Sequence, residues 1–296
     1  IWAGRSTISA MEEIAHDNSV PAFFKLVCLA FAANSAKSTA NYNKQLTLLE
    51  RIRTFPEVND NIRNFLYNKH LGDYYHIQDN HSDWEKAFAL YKKAAAYMIK
   101  AESVITDTIE IGIIQNYKRS LHYAIASTLE HLTRKNRNNE YYDKSMDIVD
   151  DYLNSPVNID VDYMCQLLMV KGALLFWRDN IKKAEQVYRQ ALFISEWINK
   201  PHAIDQANRV LGRILGVRRR FDEALECMEA SLNHAKDTDE ELLIGRNYLA
   251  QAWLFVKMGK KDEANEKKRA GQDIYMKIKG KEKGYEDSVT FFSIGL

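Results

Sequence analysis

The amino-acid sequence predicts an all-α fold, a solenoid of stacked antiparallel helical hairpins, and three observations support that prediction. The 296 residues include only 12 glycines and 4 prolines, whereas an all-β chain needs turn residues every few positions. Hydrophobic residues make up 46% of the chain and charged residues 27%, which suits helices with one buried face. The third observation is a self-similar pattern of fixed period, which is typical of helical repeats.

The period is 40 residues, and it is read from three small residues at equivalent positions, Gly172, Gly212 and Ala252. A bulky residue follows each of them after three positions, an alanine after twelve, a long side chain after sixteen and a small residue after nineteen. These residues are Leu175, Leu215 and Phe255; Ala184, Ala224 and Ala264; Tyr188, Met228 and Lys268; and Ala191, Ser231 and Gly271. Small residues permit close approach where two helices cross, so the pattern predicts three regular hairpins over residues 156–280.

The connections within these hairpins have the residues that helix ends prefer. Polar stretches separate the two predicted helices of each hairpin, at residues 178–180, 218–220 and 258–260. Asn180, Asp222 and Asp262 lie at or near the start of a second helix, where a short side chain can cap free amides. Pro201 is placed at a helix start, where its missing N–H costs little.

The rest of the chain also reads as helical, with weaker repeats. Residues 1–60 are predicted to be an N-terminal helical segment without a clear repeat, and residues 281–296 a tail or a capping helix. Residues 61–155 predict degenerate hairpins, including one unbroken helix from Asp107 to Lys135. One copy of the repeat has a longer turn. Its first helix is predicted to end near Gln78, and Asp83 is predicted to cap its second helix. A weaker copy follows it. Their key residues are Leu71, Gly72, Tyr75, Ala87, Tyr91 and Ala94, then Ser145, Val149 and Tyr152.

The spacing of small residue, alanine, large residue and small residue resembles the tetratricopeptide repeat (TPR). The 40-residue period is similar to the lengthened repeats of bacterial peptide-receptor regulators, MalT-like regulators and kinesin light chains. This resemblance implies a right-handed superhelix of hairpins that binds a peptide or a partner protein. It also suggests the sensor part of a cytosolic regulator, which is an analogy because such repeats serve many partners.

Several classes of function are not expected from this sequence. Cys28, Cys165 and Cys227 are far apart, so we expect reduced, buried thiols rather than a disulfide framework or a metal site. No histidine pair has the spacing of metal ligands on one helix face, and no nucleophile lies beside a base. We therefore expect a non-enzymatic protein with no catalytic residue, no bound metal and no cofactor.

Charge and hydropathy narrow the partners and the location. The net charge is +1, and the basic segment Lys257–Lys283 mixes both signs, which argues against nucleic acid as the partner. The longest apolar stretch, Pro21–Ala33, is too short to cross a bilayer, so we expect no membrane association and a cytoplasmic protein. A homodimer is compatible with this interpretation.

The binding surface is predicted on the first helices of the three regular hairpins, because these helices line the concave side of a solenoid. A stripe beside the small residues combines aromatic, amide and cationic side chains. Its residues are Gln166, Met169, Phe176, Trp177, Gln206, Asn208, Arg209, Arg213, Arg246, Asn247, Trp253 and Lys257. Arginines on adjacent helices would repel each other unless a local acid or an anionic ligand balances them. We therefore expect an acidic peptide or a C-terminal carboxylate as the ligand.

Three alternatives remain open at this point. The aromatic residues could pack between repeats while the arginines are ordinary solvated charges. The protein could also be a structural scaffold subunit without a ligand switch, or a helical accessory domain of a larger ATPase or enzyme. The sequence before Ile1 would separate these alternatives, since a DNA-binding or ATPase module there would favour a regulator.

Overall fold

The computed structural model describes residues 2–38, 41–77, 81–155, 160–237 and 241–279. Within these ranges the chain forms thirteen α-helices and no strand, which confirms the predicted all-α class. The helices belong to two compact units, Ile1–Ile148 and Val149–Leu296.

The first unit is built from long helices that pack on their neighbours in sequence. Its N-terminal segment is helical, and two of its helices, Asp60–His76 and His81–Glu102, form an antiparallel hairpin. The helices are α1 (Trp2–His16), α2 (Ala22–Ser38), α3 (Tyr42–Arg53), α4 (Asp60–His76), α5 (His81–Glu102), α6 (Thr108–Asn136) and α7 (Asn139–Leu153), of which α7 runs across the unit boundary. Asp107 caps α6, since its carboxylate accepts the backbone N–H groups of Ile109 and Glu110. The long unbroken helix predicted for this region is therefore confirmed.

The second unit contains three successive helical hairpins, as the period predicts. Its helices are α8 (Val161–Trp177), α9 (Ile181–Trp197), α10 (Pro201–Val217), α11 (Phe221–Asp237), α12 (Glu241–Lys257) and α13 (Lys261–Lys279). Each first helix packs against the second helix of its own hairpin, and α10 also contacts α8, α9 and α12. The core of this unit is contributed by both helices of each hairpin, for example Leu211, Ile214 and Leu215 from α10 and Met228 from α11.

The small residues of the repeat lie where the two helices of a hairpin cross. A Cβ atom added to Gly172 would lie 2.6 Å from the ring of Tyr188, and one added to Gly212 would lie 2.7 Å from Met228 Cγ. In the first unit, a Cβ on Gly72 would lie 2.5 Å from the ring of Tyr91. Each large residue is the one that the repeat pattern pairs with its glycine, so the spacing predicts these crossings correctly.

The third regular hairpin departs from that pairing. Lys268 occupies the position of the large residue but is exposed, because its ammonium group stays in solvent. The close approach is made instead by Gly271, where a Cβ would lie 2.9 Å from Leu249 Cγ and 3.0 Å from the carbonyl oxygen of Gly245. Two small residues on facing helices thus replace the small-and-large pair.

The helix ends follow the predictions with small shifts. Pro201 is in the first turn of α10, as expected. Asn180 is the N-cap residue of α9, but its side chain makes no capping hydrogen bond, and Asp222 and Asp262 lie inside the first turns of α11 and α13. Helix α4 ends at His76, close to the predicted end at Gln78, which lies outside the described residues, as does the predicted tail 281–296.

The first unit buries an ionic cluster on α4 that the sequence analysis did not anticipate. Lys69 Nζ donates to Asp73 Oδ2 at 2.7 Å, and Tyr91 donates its phenolic proton to Asp73 Oδ1 at 2.9 Å. His70 Nδ1 is 3.3 Å from Asp73 Oδ2, and its ring meets Tyr117 edge-on. Despite its burial, Asp73 has a pKa well below its usual range, because Lys69 stabilises the carboxylate.

Three histidines of this unit are held neutral by burial. Burial lowers the pKa of His70 to about 4, with Lys69 adding to the effect. Burial also lowers the pKa values of His76 and His131 to about 3, and their rings lie 5.2 Å apart. Thr128 Oγ1 donates to the carbonyl oxygen of Ala124, so His76 Nδ1 donates to Thr128 Oγ1 at 2.8 Å.

These histidines predict that mild acid destabilises the first unit. The unfolded chain binds protons on histidine below about pH 6.5 whereas the folded chain does not, so stability falls as the pH drops from 6.5 toward 4. At pH 5 the buried His70 should cost about 2 kcal/mol relative to neutral pH, and the partly buried His76 and His131 should add to the loss. The check is the urea midpoint by circular dichroism at pH 7.5 and pH 5. His76→Gln should reduce the difference between the two midpoints, and exchange of the exposed His202 for Gln should leave it unchanged. A midpoint that does not change with pH would contradict the prediction.

Candidate functional site

A cavity opens in the second unit where three first helices end. It has a volume of about 480 Å³ and takes its walls from the last turns of α8, α10 and α12 and from the turn that leads into α11. The lining residues combine aromatic, small and cationic side chains: Phe176, Arg213, Gly216, Val217, Arg219, Phe221, Trp253 and Lys257. We call it the turn-side cavity. Its volume falls within the range of ligand pockets in proteins, about 300–1,000 Å³.

Trp253 forms a fixed aromatic wall of the turn-side cavity. A Cβ atom on Gly216 would lie 2.8 Å from the Trp253 ring and 2.9 Å from Leu254 Cδ1, so only glycine lets α10 and α12 approach this closely. The Trp253 side chain is consequently 7% exposed. Because its contacts with Gly216 hold the ring in place, ligand binding would cost little ordering of this side chain.

Two cations lie over that aromatic wall. The guanidinium carbon of Arg213 is 5.8 Å from the centroid of the Trp253 ring, and Lys257 Nζ is 5.9 Å from it. Both distances are within the range of cation–π attraction. Arg213 is 6% exposed, whereas Lys257 is exposed, so the wall has one inner and one outer positive charge. An apolar group bound against Trp253 would therefore lie beside positive charge.

The turn between α10 and α11 also contributes to the lining, although its residues were predicted only to connect two helices. Arg219 has a left-handed backbone with φ of 60°, and it lines the cavity with Phe221. The neighbouring arginines point elsewhere: Arg218 and Arg220 both donate to Glu185, in the case of Arg220 at 2.8 Å. The sequence signals were the run of three arginines and the repeat register, which aligns Arg219 with the left-handed Asp179 and Gly259. Only the three-dimensional fold shows that Arg219 lines the cavity.

A buried polar network connects α10, α11 and α12 deeper in the unit. The amide of Asn247 donates to Asp205 Oδ1 at 2.9 Å. Ser231 Oγ is 2.5 Å from Asp205 Oδ1 and 2.7 Å from Asn247 Oδ1, so its single proton can be donated to either. Arg209 Nε lies 3.9 Å from Asp205 Oδ2, and these two side chains are 9% and 0% exposed. This network fixes the three helices relative to one another.

Asp205 is the local acid that balances the central arginine. Burial lowers the pKa of Arg209, the Asp205 carboxylate opposes that shift, and Arg246 adds to it. Removal of water from the guanidinium disfavours its charge, so the buried carboxylate one helical turn away is what keeps the pair favourable. Arg209 is 7% exposed and does not line the turn-side cavity.

The structure brings four of the predicted binding residues together around the turn-side cavity: Phe176, Arg213, Trp253 and Lys257. Trp177 packs beside it, with its ring 5.6 Å from that of Phe176. Arg209 and Asn247 belong to the buried network, and the other predicted residues do not line the cavity. Of these, Met169 and Asn208 are buried, whereas Gln166, Gln206 and Arg246 are half-buried.

The buried thiol of the second unit is not a reactive one. Burial raises the pKa of Cys165 to about 11, and its Sγ lies 3.4 Å from the carbonyl oxygen of Ala191, which is the environment of an inert thiol. Within the described ranges no group of three or more His, Cys, Asp and Glu side chains is placed to hold a metal ion. No described helix is both long and apolar enough to span a bilayer.

Comparison with known proteins finds similarity in structure only. No family model matches the sequence, and no curated protein matches it either. One similar solved structure is the Rap conjugation gene regulator of plasmid pLS20 in complex with the Phr* peptide, with a TM-score of 0.56 and 14% identity over 99% of this chain and 80% of that one. Another is aspartyl phosphate phosphatase F from Bacillus subtilis, with a TM-score of 0.55 and 14% identity over 93% of this chain and 69% of that one.

A third similar structure is BtubC from P. vanneervenii, with a TM-score of 0.51 and 15% identity over 82% of this chain and 91% of that one. Sequence identities this low support a common fold but not a common activity. Together with the small-and-large helix crossings, they show the architecture of the molecule. The chain folds as a tetratricopeptide-like helical repeat protein.

Proposed function

We propose that this protein is a peptide-binding regulator and that the turn-side cavity is where an extended peptide or a partner's tail is recognised. The observation that carries the proposal is the arrangement of Trp253, Arg213 and Lys257: a fixed aromatic wall beside two positive charges. A bound segment would place an apolar side chain against the wall and a carboxylate near the cations.

The types and charges of the side chains that line the cavity favour such a ligand. Aromatic and arginine side chains in a pocket are the residue types that contribute most to binding energy. Arg213, Arg219 and Lys257 form the cationic lining of the cavity, whereas Arg218 and Arg220 donate to Glu185. A charge-assisted contact from these residues to a ligand carboxylate contributes roughly 1.5–3 kcal/mol.

The similar solved structures support the proposal independently, through their fold. One of them was solved with a peptide bound, and it aligns with 99% of this chain. We infer that this protein also belongs to the long-repeat type of regulator, acts in the cytoplasm and works without catalysis of its own. The twelve residues of the predicted stripe remain our proposed contact set, with those lining the cavity as its centre and those nearer the buried network as its extension.

The proposal can be tested with a peptide selected on the full chain from a random 12-residue display library. Lys257→Glu should weaken its binding by about tenfold or more, measured by calorimetry, because the reversed charge repels a ligand carboxylate. Lys182→Glu is the matched control: it makes the same charge change at an exposed position of α9, away from the cavity. Raised salt should weaken binding to the wild type.

The selected peptides should be rich in acidic and aromatic or aliphatic residues. Equal affinities for the wild type and the Lys257→Glu and Lys182→Glu variants would place the site elsewhere. Failure to select any specific peptide would favour the scaffold alternative.

A further inference from the structure

We propose that residues 285–296 of this chain dock in the turn-side cavity and compete there with an external peptide. This inference rests on the proposed function, since it treats the cavity as a peptide site, and it adds an internal competitor. Three independent features of the described residues and the sequence support it: the position where the last helix ends, the length of chain beyond it, and the chemistry of that chain.

The end of α13 determines where the chain that leads to residues 285–296 begins. Lys277 Nζ lies 2.5 Å from Glu241 Oε1, so the last turn of α13 is beside the first turn of α12. The turn-side cavity lies at the other end of α12, around Trp253 and Lys257. At about 1.5 Å per residue, Trp253 is about 18 Å along the helix from Glu241, and Lys257 is about 24 Å away.

The chain after α13 is long enough to cover that distance. Residues 280–290 separate Lys279 from Phe291, and eleven residues span up to about 36 Å when extended. Gly280 and Gly284 allow the backbone to reverse direction after the helix. Phe291 can therefore reach the cavity with length to spare, along the side of α12.

The chemistry of the segment complements that of the cavity. Glu286 and Asp287 come first and match the cationic lining, as an acidic ligand would. Five of the eight residues that follow Ser288 are large and apolar: Val289, Phe291, Phe292, Ile294 and Leu296. An apolar group of this size left in solvent is costly, and Phe176, Phe221 and Trp253 offer it an aromatic surface.

Internal docking would make the cavity self-inhibited. A tethered segment has an effective concentration in the millimolar range, so an external peptide must compete with it. The external peptide would thus bind only if it matches the cavity better than residues 285–296 do. This raises the specificity of the site at the expense of apparent affinity.

A test in solution uses a fluorescent synthetic peptide with the sequence of residues 285–296 as the probe. It should bind the full-length variant Phe291→Asp/Phe292→Asp at least about tenfold more tightly than the full-length wild type, by fluorescence anisotropy, because the variant's own segment no longer competes. A scrambled peptide is the control. Equal affinities for variant and wild type, or no binding to either, would overturn the inference. If the library peptide still bound in a Lys257-dependent manner in that case, the proposed function would survive without it.

A second test traps the docked state in the full chain. Val217 lines the cavity and is 44% exposed, whereas Phe193 is 71% exposed on α9 and does not line it. In the double variant Val217→Cys/Ser293→Cys, mild oxidation should form the intramolecular disulfide at least tenfold faster than in the control Phe193→Cys/Ser293→Cys, by mass spectrometry of the linked fragments. Equal rates would contradict docking. A disulfide-linked dimer as the main product would show that the segment enters a second copy, which also overturns the internal arrangement.

Discussion

Replacing Asp205 by alanine is expected to lower the free energy of unfolding of the second unit by about 3–5 kcal/mol. The carboxylate is fully buried, accepts a hydrogen bond from Asn247 and balances Arg209, which is itself 7% exposed. Its removal leaves a guanidinium without its anion and the Asn247 amide without its acceptor, whereas Ser231 can still donate to Asn247 Oδ1. The measurement is chemical denaturation of the full chain, followed by circular dichroism.

Two further variants separate this cause from a general loss of charge. Asp150→Ala removes a carboxylate that pairs with Lys171 at 2.6 Å but is 42% exposed, so it should cost less than about 1 kcal/mol. The double variant Asp205→Ala/Arg209→Met should recover part of the loss, because no unpaired charge remains buried. If Asp205→Ala were as mild as Asp150→Ala, the buried network would not hold α10, α11 and α12 together.

The same network shows where sequence reasoning about the site reaches its limit. Arg209 and Arg213 lie four residues apart, so their common helix face was predictable from the sequence. Whether an acid balances them depends on Asp205, which is one turn away on the same helix, and on Ser231 and Asn247 from the next two helices. Burial and tertiary contacts determine whether an arginine faces a ligand or forms an internal ion pair. The periodicity of the sequence shows neither the burial nor the contacts.

For the turn-side cavity, too, some residues were predictable from the repeat pattern and others only from tertiary contacts. The repeat register placed Phe176, Arg213, Trp253 and Lys257 on corresponding faces of three helices, and the fold brings them around one cavity. The run of three arginines does not by itself single out Arg219, which has a left-handed backbone and lines the cavity, whereas Arg218 and Arg220 donate to Glu185. Such a backbone state is set by the turn, and its sequence signal is the 40-residue register, which aligns Arg219 with the left-handed Asp179 and Gly259.

The fold was more predictable than the site, because the repeat pattern places a small and a large residue in contact at helix crossings. A small residue and a large one meet at a helix crossing in three hairpins, sixteen positions apart at Gly172 and Gly212 and nineteen apart at Gly72. The first unit was harder to read, since its longer helices contain only degenerate copies of the pattern. Its buried Lys69, His70 and Asp73 are polar residues at positions where a helix periodicity argument expects apolar ones.

The helix crossing at Gly172 gives the second large effect that we predict. Gly172→Leu should destabilise the second unit by about 1–3 kcal/mol, because even a Cβ atom would lie 2.6 Å from the Tyr188 ring and the larger side chain cannot be accommodated. Gly112→Ala is the matched control: that glycine is exposed on α6 with no atom near its Cβ position, so alanine should stabilise the helix by up to about 1 kcal/mol.

A double-mutant cycle then tests whether Gly172 and Tyr188 interact directly. Tyr188→Ala alone should cost about 3–5 kcal/mol, since this 2% exposed ring leaves a cavity between α8 and α9. The double variant Gly172→Leu/Tyr188→Ala should cost clearly less than the sum of the two single changes, because the new leucine fills the space that the ring vacates. Urea midpoints of the four proteins give the coupling energy. Additive effects would mean that the small and large residues of the repeat do not form a packing pair.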